Sequence, residues 1–187
     1  MRANVNNLNS RKRTENKLTS QEIYHHAQYY DDNQPSAVDV VLGTTSSILG
    51  HYAKLEEPLT RLYGRLAEGE RSTELNAVLS DYVKEGRRQR EAVERAYREA
   101  VTDAYSVGFL PEPVDEAEYR IKDDLPESPS RGDIIKATAA LEETTVKFLN
   151  RAAGSVRSQL PEVAQAMVVA ARRGSRRLDT LRSMPSK

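Results

Sequence analysis

The 187-residue chain has no cysteine and no tryptophan, only two phenylalanines, and no surplus of charge, since 28 basic residues are balanced by 28 acidic ones. Without cysteine there is no disulfide framework, no thiolate metal site and no thiol nucleophile, a composition suited to a reducing compartment. A neutral balance gives no general pull toward nucleic acid, a membrane surface or a charged substrate, so only local charge is informative. Long apolar runs are missing too. The opening segment MRANVNNLNSRKRTENK is basic but lacks the apolar core of a secretory signal, and no later stretch is long and apolar enough to span a bilayer. The expectation is a cytoplasmic protein without membrane insertion. What is abundant is Ala, Leu, Glu and Arg, the vocabulary of helices, in a chain long enough for one domain with a real core.

Residues 1 to about 18 are Asn-rich, charged and almost free of apolar groups, which predicts a flexible tail. Thr19 stands three residues before Glu22 in a capping-box pattern, so a short extra helix is expected over about 19–30, and Pro35 closes this 1–35 region. From Ser36 or Asp39 helical character runs through VLGTTSSILGHYAKLEEPLTRLYGRLAEG, with a kink or break expected at Pro58, which lacks a donor and crowds the preceding turn. A second helix is predicted over about 73–102, with Leu75, Val78, Leu79, Tyr82, Gly86, Val93, Ala96 and Tyr97 on one face. The Pro-rich, acidic stretch that follows, to about residue 132, reads as a connection. A third helix is expected over about 133–153 and a fourth over about 161–182, with Pro161 in its first turn.

The helices repeat. AKLEEPLTRLYGRLA (53–67) aligns without a gap on AALEETTVKFLNRAA (139–153), and ELNAVLSDYVKEGRRQREAV (74–93) falls on EVAQAMVVAARRGSRRLDTL (162–181), matching Glu74 with Glu162 and Gly86 with Gly174. Two tandem helical hairpins, 36–102 and 133–182, would each be too small to bury their own apolar faces and so must pack on one another. Short turns within the hairpins and a long crossover between them, over 103–132, describe an all-α four-helix bundle spanning 36–187.

Each hairpin resembles the rubrerythrin-like pattern of the ferritin-like superfamily, in which a helix reading roughly A-x-x-E-x6-Y precedes one reading E-L-x6-L-A-x-E-E-x-x-H. The resemblance covers about residues 47–182 apart from the crossover; Tyr63 follows Glu56 by seven positions, while its counterpart in the second hairpin is Leu149. It implies two metal ions between the helices, held by one Glu from the first and third helices and a Glu-x-x-His pair from the second and fourth. Helical geometry turns Glu56 inward with Tyr52, Leu59 and Tyr63, and Glu142 inward with Thr138, Thr145 and Leu149, whereas Glu57 points away. The paired ligands, however, fall on Gly86 and Gln89 in the second helix and on Gly174 and Arg177 in the fourth. Glycine offers no ligand atom and arginine cannot be deprotonated to become one. The chain therefore reads as a degenerate member without the di-metal site.

A polar centre of Glu56, Tyr63, Gln89, Glu142 and Arg177 is expected instead, with Arg177 neutralising the carboxylates and Gln89 and Tyr63 hydrogen-bonding them. The emptied centre could alternatively hold a small molecule. Elsewhere the chemistry is sparse. His25 and His26 are adjacent and diverge on a helix, and His51 is expected to face solvent. Of Arg87, Arg88 and Arg90, and of Arg172, Arg173, Arg176 and Arg177, most read as solvated helix faces balanced by Glu91, Glu94 and Asp179, or as an anion or nucleic-acid patch completed by Arg11, Lys12 and Arg13. The YHHAQYY stretch could cover the bundle or dock on a second copy. No catalytic residue is proposed. The expected function is a non-catalytic scaffold for a protein partner or for self-association, without a cofactor. The alternative is a rubrerythrin-like oxidoreductase or iron-handling protein with a partial iron or manganese site at Glu56 and Glu142.

Overall fold

The structure, a computed structural model, describes residues 41–103, 109–121 and 125–186. The expected tail and the helix over 19–30 lie outside the described residues. Four helices dominate: α1 (Thr45–Gly69), α2 (Thr73–Asp103), α3 (Arg131–Val156) and α4 (Pro161–Ser183). A two-residue antiparallel ladder joins β1 (Val41–Leu42) to β2 (Val114–Asp115), and a single 3-10 turn follows over Glu116–Tyr119. No helix among the described residues is long and apolar enough to cross a membrane.

Local chemistry sets the helix starts. Thr44 caps α1 by accepting from Ser47 N at 3.1 Å while Ser47 Oγ accepts from Thr44 N at 3.1 Å. The same reciprocal box opens α3, where Ser130 Oγ accepts from Asp133 N and Asp133 Oδ2 from Ser130 N. Pro161, which has no N–H to leave unpaired, starts α4. The capping at Thr44 places the start of α1 later than its sequence suggested: Val41 and Leu42 pair with the α2–α3 link instead of continuing a helix, and Leu110 N donates to Gly43 O at 2.8 Å. α1 also runs through Pro58 without a break. The hydrogen bond lost there is one of many, and Leu55, Leu59 and Leu62, buried on both sides of the proline, hold the helix on its neighbours.

Buried residues recur every three or four positions along α1, including Ile48, Tyr52, Leu55, Leu59, Tyr63 and Leu66. The helices pack in a closed ring: α1 lies against α2 and α3, and α4 against α2 and α3. Short turns join α1 to α2 and α3 to α4; at the first, Asn76 donates its side-chain amide to Ala67 O at the end of α1. Each wholly buried Leu or Phe in the shared core contributes roughly 1.5–3 kcal/mol by leaving water. The α2–α3 link is more than spare length. Its Leu110, Val114 and Tyr119 are buried, and the Tyr119 ring meets Phe148 of α3 edge-on at 5.5 Å.

Candidate functional site

The middle of the ring is polar. Glu142 of α3 is 0% exposed, and Arg177 of α4, at 4%, reaches it with two donors, Nη2 at 2.7 Å and Nε at 3.1 Å from Oε1. Tyr63 of α1 donates its hydroxyl to the other oxygen, Oε2, at 2.9 Å. The remaining guanidinium nitrogen, Nη1, donates toward α2, to Gln89 Oε1 at 3.3 Å and Glu85 Oε2 at 3.5 Å. One arginine thus bonds to both α2 and α3, and its carboxylate partner takes a third bond from α1. Burial pushes the Glu142 carboxyl up against the pull of Arg177 and Tyr63. Burial likewise opposes the Arg177 charge, but Glu142 outweighs it and holds the guanidinium above its ordinary value.

Gly174 makes the close approach possible. A Cβ at that position would lie 2.8 Å from Glu142 Oε1 and 2.8 Å from Val146 Cγ2, so any side chain would collide with the carboxylate. Its counterpart Gly86 is less confined, with Glu56 Oε1 3.3 Å from a would-be Cβ.

Glu56 of α1 is also buried, but its company is thinner. Tyr52, one turn earlier, donates to Oε1 at 3.2 Å, and Arg90 Nε stands 3.9 Å from Oε2, beyond hydrogen-bond reach. Burial pushes the Glu56 carboxyl up to about 7, with Arg90 and Tyr52 only partly opposing it. Gln89 Nε2 and Arg90 Nε are buried there without a hydrogen-bond partner among the described residues.

Glu142, Tyr63, Gln89 and Arg177 are therefore directly connected, but two details depart from the expected cluster. Arg177 bonds Glu142 and not Glu56, and Gln89 accepts from Arg177 rather than serving a carboxylate. The spacing of Tyr52 four residues before Glu56 could have identified the Tyr52 bond, since such neighbours share a helix face. Nothing in the sequence singled out Glu85 as the outer acid facing Arg177.

His51 is a correction. It is 4% exposed rather than solvent-facing, with its ring 4.8 Å from that of Phe148 and its Nδ1 3.2 Å from Glu116 Oε1 in the link. The link covers the flank of α1 that helical periodicity left open. Burial lowers the His51 pKa despite the adjacent Glu116.

Most of the clustered arginines are exposed, as expected: Arg87, Arg88, Arg172, Arg173 and Arg176. Arg177 is central, and Arg90 lies 3.4 Å from Glu94, one of the acids expected to balance the clusters. Arg11, Lys12, Arg13, His25 and His26 lie outside the described residues.

The donor set does not fit a di-metal centre. Glu142 is occupied by Arg177 and Tyr63, a ligand side chain at position 174 would overlap the carboxylate, and no group of three or more His, Asp or Glu side chains converges among the described residues. Such a centre needs several anionic or neutral donors free to point at the ions. In comparisons with known proteins, no family model, curated protein or solved structure matches the chain.

Proposed function

We propose that the chain is a degenerate ferritin-like, rubrerythrin-related bundle of two repeated hairpins, retained in the cytoplasm as a non-catalytic scaffold for self-association or a protein partner. The observation that carries this reading is Arg177. It stands where the resemblance places the metal-binding histidine of the last helix, and it directs a cation at the inward glutamate of α3. A guanidinium with two donors on one carboxylate oxygen joins two helices as a bridging metal would, without offering an open coordination position. The short turns, the long link and the inward Glu56 and Glu142 support the same reading.

Metal analysis of the purified full chain, combined with light scattering, tests it. The expected result is no stoichiometric iron or manganese after growth in supplemented medium, and a mass that is a multiple of 21.0 kDa. Stoichiometric metal bound through Glu56 and Glu142, lost in the doubly Gln-substituted variant, would replace the scaffold reading with the metalloprotein one. A strict monomer at all concentrations would remove self-association and leave only a heterologous partner.

A further inference from the structure

A groove of about 750 Å³ runs along the outer seam between α2 and α4, directly over Arg177. Five cationic and two acidic side chains line it. Their pairing is unequal. Lys84 is matched with Asp81 at 3.1 Å, and Arg177 is engaged inward with Glu142. Glu85 is shared, 3.5 Å from Arg177 Nη1 and 3.9 Å from Arg173 Nε. Arg88 on the α2 wall and Arg176 on the α4 wall are exposed and have no acidic partner among the described residues. They also occupy equivalent places in the aligned hairpins, each two residues after its glycine. The groove therefore presents uncompensated guanidinium from both sides.

We propose that this groove binds a compact phosphate-bearing anion, with Arg88 and Arg176 taking its oxygens from opposite walls and Arg173 adding a third contact. The planar donor fork of arginine matches phosphate oxygens, and a tetrahedral group offers oxygens toward two walls at once, whereas a carboxylate is filled by one fork in its own plane. The volume lies within the roughly 300–1,000 Å³ of small-molecule sites and exceeds what a bare phosphate needs, leaving room for an organic moiety beside Tyr82. A long nucleic-acid strand suits it poorly. Asp81 and Glu85 line the same groove, and Tyr82 is the one aromatic ring available for stacking.

Calorimetric titration of the full chain with inorganic phosphate, pyrophosphate and glucose 6-phosphate, at ionic strength held constant with chloride, tests the site. Saturable binding at one site per chain is expected, weakened at least tenfold in the Arg88→Gln/Arg176→Gln variant. Both residues are exposed, so circular dichroism should show the variant folded. Tighter binding of glucose 6-phosphate would assign the ligand to phosphorylated metabolites; equal or tighter binding of the inorganic anions would assign it to free phosphate. Three results would overturn the proposal: no saturable heat with any of the three probes, undiminished binding by the variant, or a single-stranded oligonucleotide binding more tightly than all of them.

Discussion

Glu56 and Glu142 hold matching places in the two hairpins, point into the same centre and are both buried, yet they live in different electrostatic worlds. Glu142 receives two bonds from a guanidinium and one from a phenol. Glu56 receives one phenol bond and has a guanidinium nitrogen at 3.9 Å. The difference lies in residues 89 and 177, a glutamine in one hairpin and an arginine in the other. A buried carboxylate stays ionised only with directed positive charge. Burial pushes both carboxyls up, against Arg177 and Tyr63 at Glu142 and against Arg90 and Tyr52 at Glu56, whose pKa reaches about 7.

The comparison breaks most severely at Arg177. In Arg177→Met, Glu142 is left in the interior with Tyr63 as its hydrogen-bond donor, and chemical denaturation at pH 7 should show a loss of about 3–5 kcal/mol. Protonation of Glu142 will soften that loss at lower pH. A variant within about 1 kcal/mol of the parent at pH 8 would show that the pair contributes little beyond its replacement by apolar packing.

Gly174→Ala should come next, costing about 1–3 kcal/mol as the new Cβ displaces a carboxylate anchored on both oxygens and the branched Val146. Crystallography or loss of the Tyr63 bond by spectroscopy would locate the strain. A neutral Gly174→Ala would mean that the Glu142 cluster is looser than its three bonds imply.

Glu56→Gln probes the other half. The folded Glu56 pKa of about 7 lies above its ordinary value of 4.5, so the native state binds the extra proton between those pH values and its stability falls as pH rises through that window. The difference between parent and Glu56→Gln should therefore grow from pH 5 to pH 8, where the variant is more stable by on the order of 2 kcal/mol. His51, whose pKa is lowered by burial, has the opposite slope, favouring folding as pH rises, but it is common to both proteins and cancels in the difference. A pH-independent difference would place a compensating charge at Glu56.

The smallest effect is expected for Gly86→Ala. Only the tip of Glu56, loosely held, stands 3.3 Å from the new methyl, while alanine in a helix interior gains up to about 1 kcal/mol over glycine. Thermal denaturation should show a change between zero and a slight stabilisation. The two glycine variants, identical on paper, should differ in sign.

Much of the helical frame was legible because it rests on short-range rules. Pro161 in the first turn of α4 and the shared face of Tyr52, Leu59 and Tyr63 act within one or two turns, whereas the equally local Ser130–Asp133 box went unread and starts α3 at Arg131 rather than near 133. Inward orientation of Glu56 and Glu142 was legible for the same reason. What Arg177 would bond was not, since its long side chain chooses among carboxylates on two neighbouring helices according to their exact offset. Burial of His51 was equally hidden, because its cover, Glu116 and the Tyr119 turn, comes from more than sixty residues downstream in a stretch whose prolines and acids read as mere connection. The ladder of Val41–Leu42 with Val114–Asp115 has too short a strand pattern to register in any window.

That ladder has a topological consequence. Two hairpins joined by a link are natural candidates for exchange between copies, since a hairpin from a second chain could in principle restore the same packing. Here the link is fastened to both hairpins, by β1 and Gly43 on one side and by Arg151 with Glu112 and Gln159 with the Phe109 carbonyl on the other. A swapped pair would have to release these fasteners before the hairpins could part, so the ladder acts as a clasp that keeps each link closed on its own chain.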